Sequence, residues 1–327
     1  MIRTPHFWSI PHHPVSVLLQ PAAGLWDGIS QLRRRLTRSI RTPIPSICAG
    51  NATIGGAGKT PVVMALAEML RQSGAHPAIG LRGYGARIAP GVTRVDPARH
   101  TARETGDEAL LLAQVAPCYV SRDRYAASLA AYQDGATHIL FDDGLQNPQI
   151  DYDIALLVID GAYGIGNGKI IPAGPLREDW LAALGRCQAL VMIGGDDTDL
   201  LATAASALTD KILLSASLVA EIPAGLSRTE KFLAFAGIGR PEKFFQTCRD
   251  SGLELVAMKS FPDHHSYAAA ELETLERQAQ ARGARLITTA KDAVRLPPEY
   301  RKRIAVLPVR LQLTDPGTLL TLLPKLQ

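Results

Sequence analysis

The stretch Gly50-Asn51-Ala52-Thr53-Ile54-Gly55-Gly56-Ala57-Gly58-Lys59-Thr60 decides the fold. An apolar run, Ile44 to Ala49, leads into it, and a helical pattern, Pro61 to Leu70, leads out. Strand, glycine-rich turn, Gly-Lys-Thr and helix is the build of a phosphate-binding P-loop. Glycines let backbone N–H groups curl around an anion, and the helix N-terminus adds the positive end of its dipole. In such a loop Thr53, Ile54, Gly55, Gly56, Ala57 and Gly58 form the cradle. Lys59 reaches the β- and γ-phosphates, and the Thr60 hydroxyl faces Mg²⁺. The usual spacing, Gly-x-x-x-x-Gly-Lys-Ser/Thr, has its first glycine where this chain has Thr53, with Gly55 and Gly56 inside the loop instead. A glycine-rich surface turn is the plainer account of the tripeptide alone; the flanking strand and helix argue against it.

The chain has 327 residues, 46% hydrophobic and 20% charged, which is globular composition with room for about two domains. Cys48, Cys118, Cys187 and Cys248 are far apart and show no metal-ligand spacing, as expected of reduced, buried thiols. The start of the chain lacks the pattern of a secretory signal. The net charge of +4 is unevenly placed. Residues 1–42 hold Arg3, Arg33, Arg34, Arg35, Arg38 and Arg41 against Asp27 alone, and the remainder is close to neutral. That distribution argues against a nucleic-acid surface.

The basic segment also carries an apolar stripe: Leu18, Ala22, Leu25, Ile29, Leu32 and Leu36 recur at alternating steps of four and three. This is one face of a helix, with Pro21 in its first turn and Trp26 at its flank. No stretch reaches the ~18 consecutive apolar residues of a spanning helix. A helix lying in a membrane interface, with arginines on anionic lipid, accounts for the pattern. A helix packed on the protein's own core accounts for it equally well.

Farther along, Pro77–Leu81 reads as a strand running into Arg82-Gly83-Tyr84-Gly85, and residues 86–104 are polar and turn-rich. Gly106-Asp107-Glu108 opens a helix, where acids are also favoured simply by the helix dipole. Cys118–Ser121 reads as a strand, and a helix follows to about Gln133. His138-Ile139-Leu140-Phe141-Asp142-Asp143-Gly144 is an apolar strand ending in acids, the arrangement with which a nucleotide-binding sheet holds Mg²⁺. Ile154–Ile159 ends at Asp160, and a long glycine-rich loop, 161–178, follows as a candidate substrate site. Strands at Leu190–Ile193 and Ile212–Leu214 complete one doubly wound α/β domain, 43–222. After a linker at 223–231, a β-α-β run from Phe232 predicts a smaller α/β domain, 228–327. It carries Phe261-Pro262-Asp263-His264-His265 in a loop. Asp107 and His264 are candidates for handling an acceptor proton; lying in different domains, they can meet only across an interdomain cleft.

Taken together, Gly50-Asn51-x-Thr53-x-Gly55-Gly56-x-Gly58-Lys59-Thr60-Pro61, Arg82-Gly83-Tyr84-Gly85, Gly106-Asp107-Glu108, Asp123-Arg124, Asp142-Asp143-Gly144-x-Gln146, Gly166-Asn167-Gly168, Pro172-x-Gly174-Pro175-Leu176-Arg177-Glu178, Asp263-His264 and Lys291-Asp292 resemble the tetraacyldisaccharide 4'-kinase family. The resemblance runs in order through nearly the whole chain, and the family shares the P-loop without its first glycine. It implies transfer of the ATP γ-phosphate to the 4'-hydroxyl of an acylated glucosamine disaccharide 1-phosphate, giving lipid IVA in lipid A biosynthesis. It implies ATP and Mg²⁺, no obligate protein partner, and work at the cytoplasmic face of the bacterial inner membrane, with the basic helix on anionic lipid. By the same resemblance Asp107 is the catalytic aspartate and His264 its partner. Lys59 and Arg124 serve the transferring phosphate, and Asp142 and Asp143 complete the metal site with Thr60. Tyr84 lies near the nucleotide, Gln146 lines the acceptor site, and Glu108, Asn167, Arg177 and Glu178 are further substrate candidates. Two other readings of the residues remain: a nucleotide-dependent switch that recruits a partner, and a soluble small-molecule kinase.

Overall fold

Strand β1 (Ser46–Gly50) is buried along its whole length, as are β2 (Pro77–Leu81), β5 (His138–Asp142), β6 (Ile154–Asp160) and β7 (Ala189–Ile193). Strands hidden on both faces need helices on both faces, and this is why they read as unbroken apolar runs. In a computed structural model describing residues 5–87 and 90–323, they form the middle of a nine-stranded sheet. Its order is β13-β8-β7-β6-β1-β5-β2-β4-β3, where β3 is Thr93–Arg94, β4 Cys118–Val120, β8 Ile212–Ala220 and β13 Val309–Leu313. The strands from β8 through β4 pair in parallel, and only the two edges, β13 on β8 and β3 on β4, are antiparallel. The expected extremes of the chain, 1–4 and 324–327, and residues 88–89 lie outside the described residues.

Helix Lys59–Gln72 covers one face and buries Val62, Val63, Leu66, Ala67 and Leu70. The opposite face is filled by Phe141, Tyr119, Leu157, Leu190 and Trp180. Register brings Ala49 beside Asp142 and Gly50 beside Leu157. The carboxyl ends of β1, β5 and β6 therefore open side by side, where an open parallel sheet takes its ligands.

The second sheet is four-stranded and parallel, β10-β9-β11-β12, with β9 Lys231–Ala236, β10 Glu254–Ser260, β11 Ala284–Thr289 and β12 Ala305–Leu307. Helix Pro241–Asp250 packs Phe244, Phe245 and Cys248 on one side, and helix Ala269–Gln280 packs Leu272, Leu275 and Ala279 on the other. One boundary needs correction. The expected C-terminal unit 228–327 does not keep its last elements, because β13 returns to the first sheet and Leu311 and Leu319 bury in the core around helix Lys59–Gln72. The reason is the half-buried alternation of β13, with Leu311 covered and Arg310 and Gln312 exposed, which suits an antiparallel edge.

The four cysteines are buried and unpaired. The N-terminal arm is a short helix, Pro14–Leu18, followed by Gln20–Leu36. Its apolar stripe faces outward: Leu18 is 79% exposed, Leu25 67%, Ile29 58% and Leu36 77%. Packing on the protein's own core, the plainer alternative, is thereby excluded for this stripe. Among the described residues, no helix is long and apolar enough to cross a membrane.

Candidate active site

Gly58 caps helix Lys59–Gln72 with φ +87°, and a Cβ there would stand 2.5 Å from Ile193 Cδ1, so no other residue fits the turn without strain. The turn leaves Lys59 pointing back over the loop. Its Nζ donates to Asn51 Oδ1 at 2.9 Å and lies 3.6 Å from Asp143 Oδ1. The Thr60 hydroxyl donates to Asp142 Oδ2 at 2.9 Å. The other oxygen of Asp142 is buried without a hydrogen-bond partner. Burial, and then the nearby charge of Glu108, push the Asp142 carboxyl well above the usual carboxylate range. Asp143 is different: burial would raise it, but Lys59, Arg177 and Arg124 outweigh burial and hold it down. Two neighbouring acids are thus pulled apart, one short of positive charge and one saturated with it.

The loop 161–178 returns as a strap across the P-loop. Ile54 donates its N–H to Pro175 O at 2.7 Å, and Arg177 donates its N–H to Ala52 O at 2.7 Å. Thr53 makes an antiparallel bridge to Leu176, and its hydroxyl accepts from Asn51 Nδ2 at 3.2 Å. The strap is thus tied to residue 53 by backbone, while the Thr53 side chain holds Asn51. Arg177 Nη1 meets both oxygens of Asp143 at 2.9 Å and Gln146 Oε1 at 3.3 Å. Gln146 Nε2 donates to Asn51 O at 2.9 Å and Glu178 Oε1 at 3.0 Å. Arg124, nearly buried, donates to Asp143 O at 2.7 Å and leaves its Nε without a partner.

The second cluster spans the two sheets. Asp107 opens helix Asp107–Leu112 after Gly106, which turns the chain with φ +92°. Its Oδ2 lies 2.8 Å from His264 Nδ1 and 3.5 Å from Arg295 Nε. Lys291 Nζ meets Glu108 Oε1 at 3.2 Å. Burial alone would raise the Asp107 carboxyl. The hydrogen bond to His264 and the charges of Lys291 and Arg295 overcome it and set the pKa at about 2. An ionised Asp107 can only accept, so His264 Nδ1 is the donor in this pair, and Nε2 lies 3.8 Å from Asp263 Oδ2. His264 has φ +57° and Asp143 φ +59°, two of four described non-glycine residues in left-handed backbone. Such backbone costs free energy and gathers where geometry is functional.

Two sequence candidates are placed elsewhere. Asn167 is spent on the arm: its Nδ2 donates to Ser16 Oγ at 2.8 Å and to Ala173 O at 3.0 Å, and its Oδ1 accepts from Lys169 N. Tyr84 stands in solvent, 88% exposed. Glu178 is buried and accepts from Arg34, Arg186 and Gln146, so it braces the pocket.

Other residues enter that the motifs did not assign. Asn51 seats the P-loop lysine, as its place one residue past β1 could have suggested. Arg295 links Asp107 to Asp292, which also receives Gly237 N and Tyr267 OH. Asp160 accepts from Arg240 and from Lys243, the latter at 2.9 Å, and Arg240 also donates to Gly56 O at 3.0 Å. A strand-end acid beside β1 was the signal for Asp160; its cationic partners are 80 residues away and left none.

Comparison with known proteins supplies the family. Residues 15–327 match the family described as Tetraacyldisaccharide-1-P 4'-kinase. The chain belongs to this family. A tetraacyldisaccharide 4'-kinase of Rhodospirillum centenum is 45% identical over 332 residues, covering 99% of this chain and 97% of that protein. One from Gluconacetobacter diazotrophicus is 47% identical over 316 residues, covering 96% and 95%. A crystal structure described as an "apo" form of LpxK from Aquifex aeolicus in complex with ATP superposes with a TM-score of 0.77 at 25% identity, covering 94% of this chain and 98% of that one. Membership in the 4'-kinase family makes the chain a kinase with ATP as its nucleotide.

Proposed function

We propose that this 4'-kinase family member transfers the γ-phosphate of ATP to the 4'-hydroxyl of a tetraacylated disaccharide 1-phosphate at a membrane surface. The observation that carries the reading is the joining of Asp107 to His264 at 2.8 Å across the two sheets, beside the Lys59 loop. Phosphoryl transfer asks little covalent chemistry of the protein and much charge placement. Lys59 and the loop N–H groups hold the phosphate tail; Arg124 and Arg177 neutralise charge around Asp143. The Asp107–His264 pair takes the proton that the sugar hydroxyl loses.

Thr60, Asp142 and Asp143 suit Mg²⁺. Among the described residues no group of three His, Cys, Asp or Glu stands together, and Mg²⁺ is usually held by one or two carboxylates plus substrate phosphates. The partnerless Asp142 oxygen fits that role. When bound, the ion would neutralise charge on the β- and γ-phosphates.

The arm supports a peripheral seat on the cytoplasmic face of the inner membrane. Its outward leucines and isoleucine, with Trp26 and exposed arginines, suit an interfacial helix. An acylated substrate loses about 0.8 kcal/mol per CH₂ on leaving the bilayer, so the enzyme must come to it.

The test is incubation of purified protein with Mg-ATP and vesicles carrying the tetraacyldisaccharide 1-phosphate. Label at the 4'-position, lost in Lys59→Ala, is expected. ATP hydrolysis indifferent to lipid would instead favour a nucleotide switch.

A further inference from the structure

Helix Gln20–Leu36 has a second face. Ala23, Asp27, Ser30, Arg34 and Thr37 recur at steps of four and three and are all at least partly covered, while Leu25, Ile29, Leu32 and Leu36 point away. Arg33 and Arg35 are exposed, but Arg34 between them turns inward, its side chain 28% exposed. Its Nη2 donates to Glu178 Oε2 at 2.7 Å, on a carboxylate only 7% exposed. About two helical turns back, Trp26 Nε1 donates to Arg177 O at 3.2 Å. The arm is therefore hydrogen-bonded to two consecutive residues of the strap that crosses the P-loop.

Those two residues feed the pocket by separate routes. Arg177 clamps both oxygens of Asp143. Glu178 Oε1 accepts from Gln146 Nε2 at 3.0 Å; the same Nε2 donates to Asn51 O at 2.9 Å; and Asn51 Oδ1 accepts from Lys59 Nζ at 2.9 Å. Every link from Arg34 to Lys59 is within hydrogen-bond distance. Arg186 shares Glu178 Oε2 with Arg34, also at 2.7 Å. Removing Arg34 would therefore leave the buried carboxylate with one cation, Arg186.

We propose that Arg34 is a positioning residue of the phosphoryl-transfer site. Seated by the arm, it fixes Glu178, and through Gln146 and Asn51 it holds Lys59 at the angle that transfer requires. An arginine on a surface-binding helix thereby acts on the rate of transfer as well as on attachment, so an enzyme whose arm is not seated is a slow one. The inference rests on the kinase reading above.

The test uses the full-length protein on vesicles containing the lipid acceptor, with kcat, both KM values and vesicle cosedimentation measured for Arg34→Ala, Arg34→Lys, Glu178→Gln and the double variant Arg34→Ala/Glu178→Gln. Loss of a partner that orients a charged site group costs on the order of tenfold. Arg34→Ala is therefore expected to lower kcat at saturating lipid about tenfold while it still cosediments with vesicles, and Arg34→Lys is expected to recover most of the rate. The double variant is expected to be no slower than Glu178→Gln alone, because both changes cut one chain. A full kcat with only the lipid KM raised, or losses that simply multiply in the double variant, overturns the proposal and makes Arg34 a lipid-surface contact. Absence of phosphorylated lipid from the unaltered protein would instead sink the kinase reading on which it rests.

Discussion

The P-loop pocket and the Asp107–His264 cluster are built in opposite ways. The first lies on one sheet: Gly50, Asp142 and Asp160 end three neighbouring strands, and the strap 175–178 ties Thr53, Asp143 and Gln146 together. The second exists only because residues 157 apart in sequence meet between two sheets. The first pocket takes its frame from the first sheet and its strap, with the second unit reaching it only through Arg240 and Lys243 at Gly56 O and Asp160, whereas the second cluster needs both sheets. A kinase divided in this way can hold nucleotide on one body and complete the acceptor side by bringing in the other, which keeps water from the phosphate until the sugar is seated.

The largest effect should come from the pocket. Lys59→Ala is expected to lower kcat/KM by roughly a thousandfold, by analogy with the loss of a preorganised charge-stabilising donor, and to weaken ATP binding measured by calorimetry. Next, Asp107→Asn is expected to lower kcat about a hundredfold with ATP affinity nearly unchanged, since it removes proton transfer and leaves the phosphate grip intact. Equal losses of affinity in both variants would erase the distinction between the two regions.

The pH dependence of stability sharpens the contrast. Asp107 is held at about 2 against an ordinary 3.8, so its contribution is present above pH ~4 and is lost as pH falls toward 2. The shift corresponds to about 2 kcal/mol, and urea unfolding at stepped pH should show a shallower acid loss in Asp107→Asn than in the unaltered protein. Asp142 behaves in the reverse sense. Its raised pKa means that burial opposes the charged form, so Asp142→Asn is expected to cost little stability while depressing magnesium-dependent activity.

The smallest expected effect concerns the contact between the second sheet and the P-loop. Asp160 is buried, but Arg240 and Lys243 are 39% and 45% exposed, so solvent screens the pairs. Asp160→Asn should cost no more than about 1 kcal/mol in unfolding, while raising the KM for ATP a few-fold. A stability loss several times larger would mean that the domains depend on one another to fold.

Legibility in the sequence followed the same divide. The P-loop, the acid-ended strand β5 and the buried strands were readable because each is contiguous: Ser46–Gly50, His138–Asp142 and Ile154–Asp160 are unbroken apolar runs with chemistry at their ends. The Asp107–His264 contact was legible through the family resemblance, since spacing alone cannot show that two loops meet. Arg295 and Arg240 left no local signature, because an arginine facing a distant carboxylate looks like any solvated one. The return of β13 to the first sheet had a local sign, its alternating Val309, Leu311 and Leu313, but a period-two pattern does not name its partner strand. The arm's stripe was visible as periodicity, and only the structure separated its exposed leucines from the inward Arg34.

The division of labour between the two regions is tested most directly by a structure of the protein with Mg²⁺ and a non-hydrolysable ATP analogue. The expected result is a triphosphate wrapped by residues 53–60, with Asp107 or His264 reaching the space beyond the γ-phosphate directly or through one water. Phosphates seated away from Lys59, or a γ-phosphate facing away from Asp107 and His264, would contradict it.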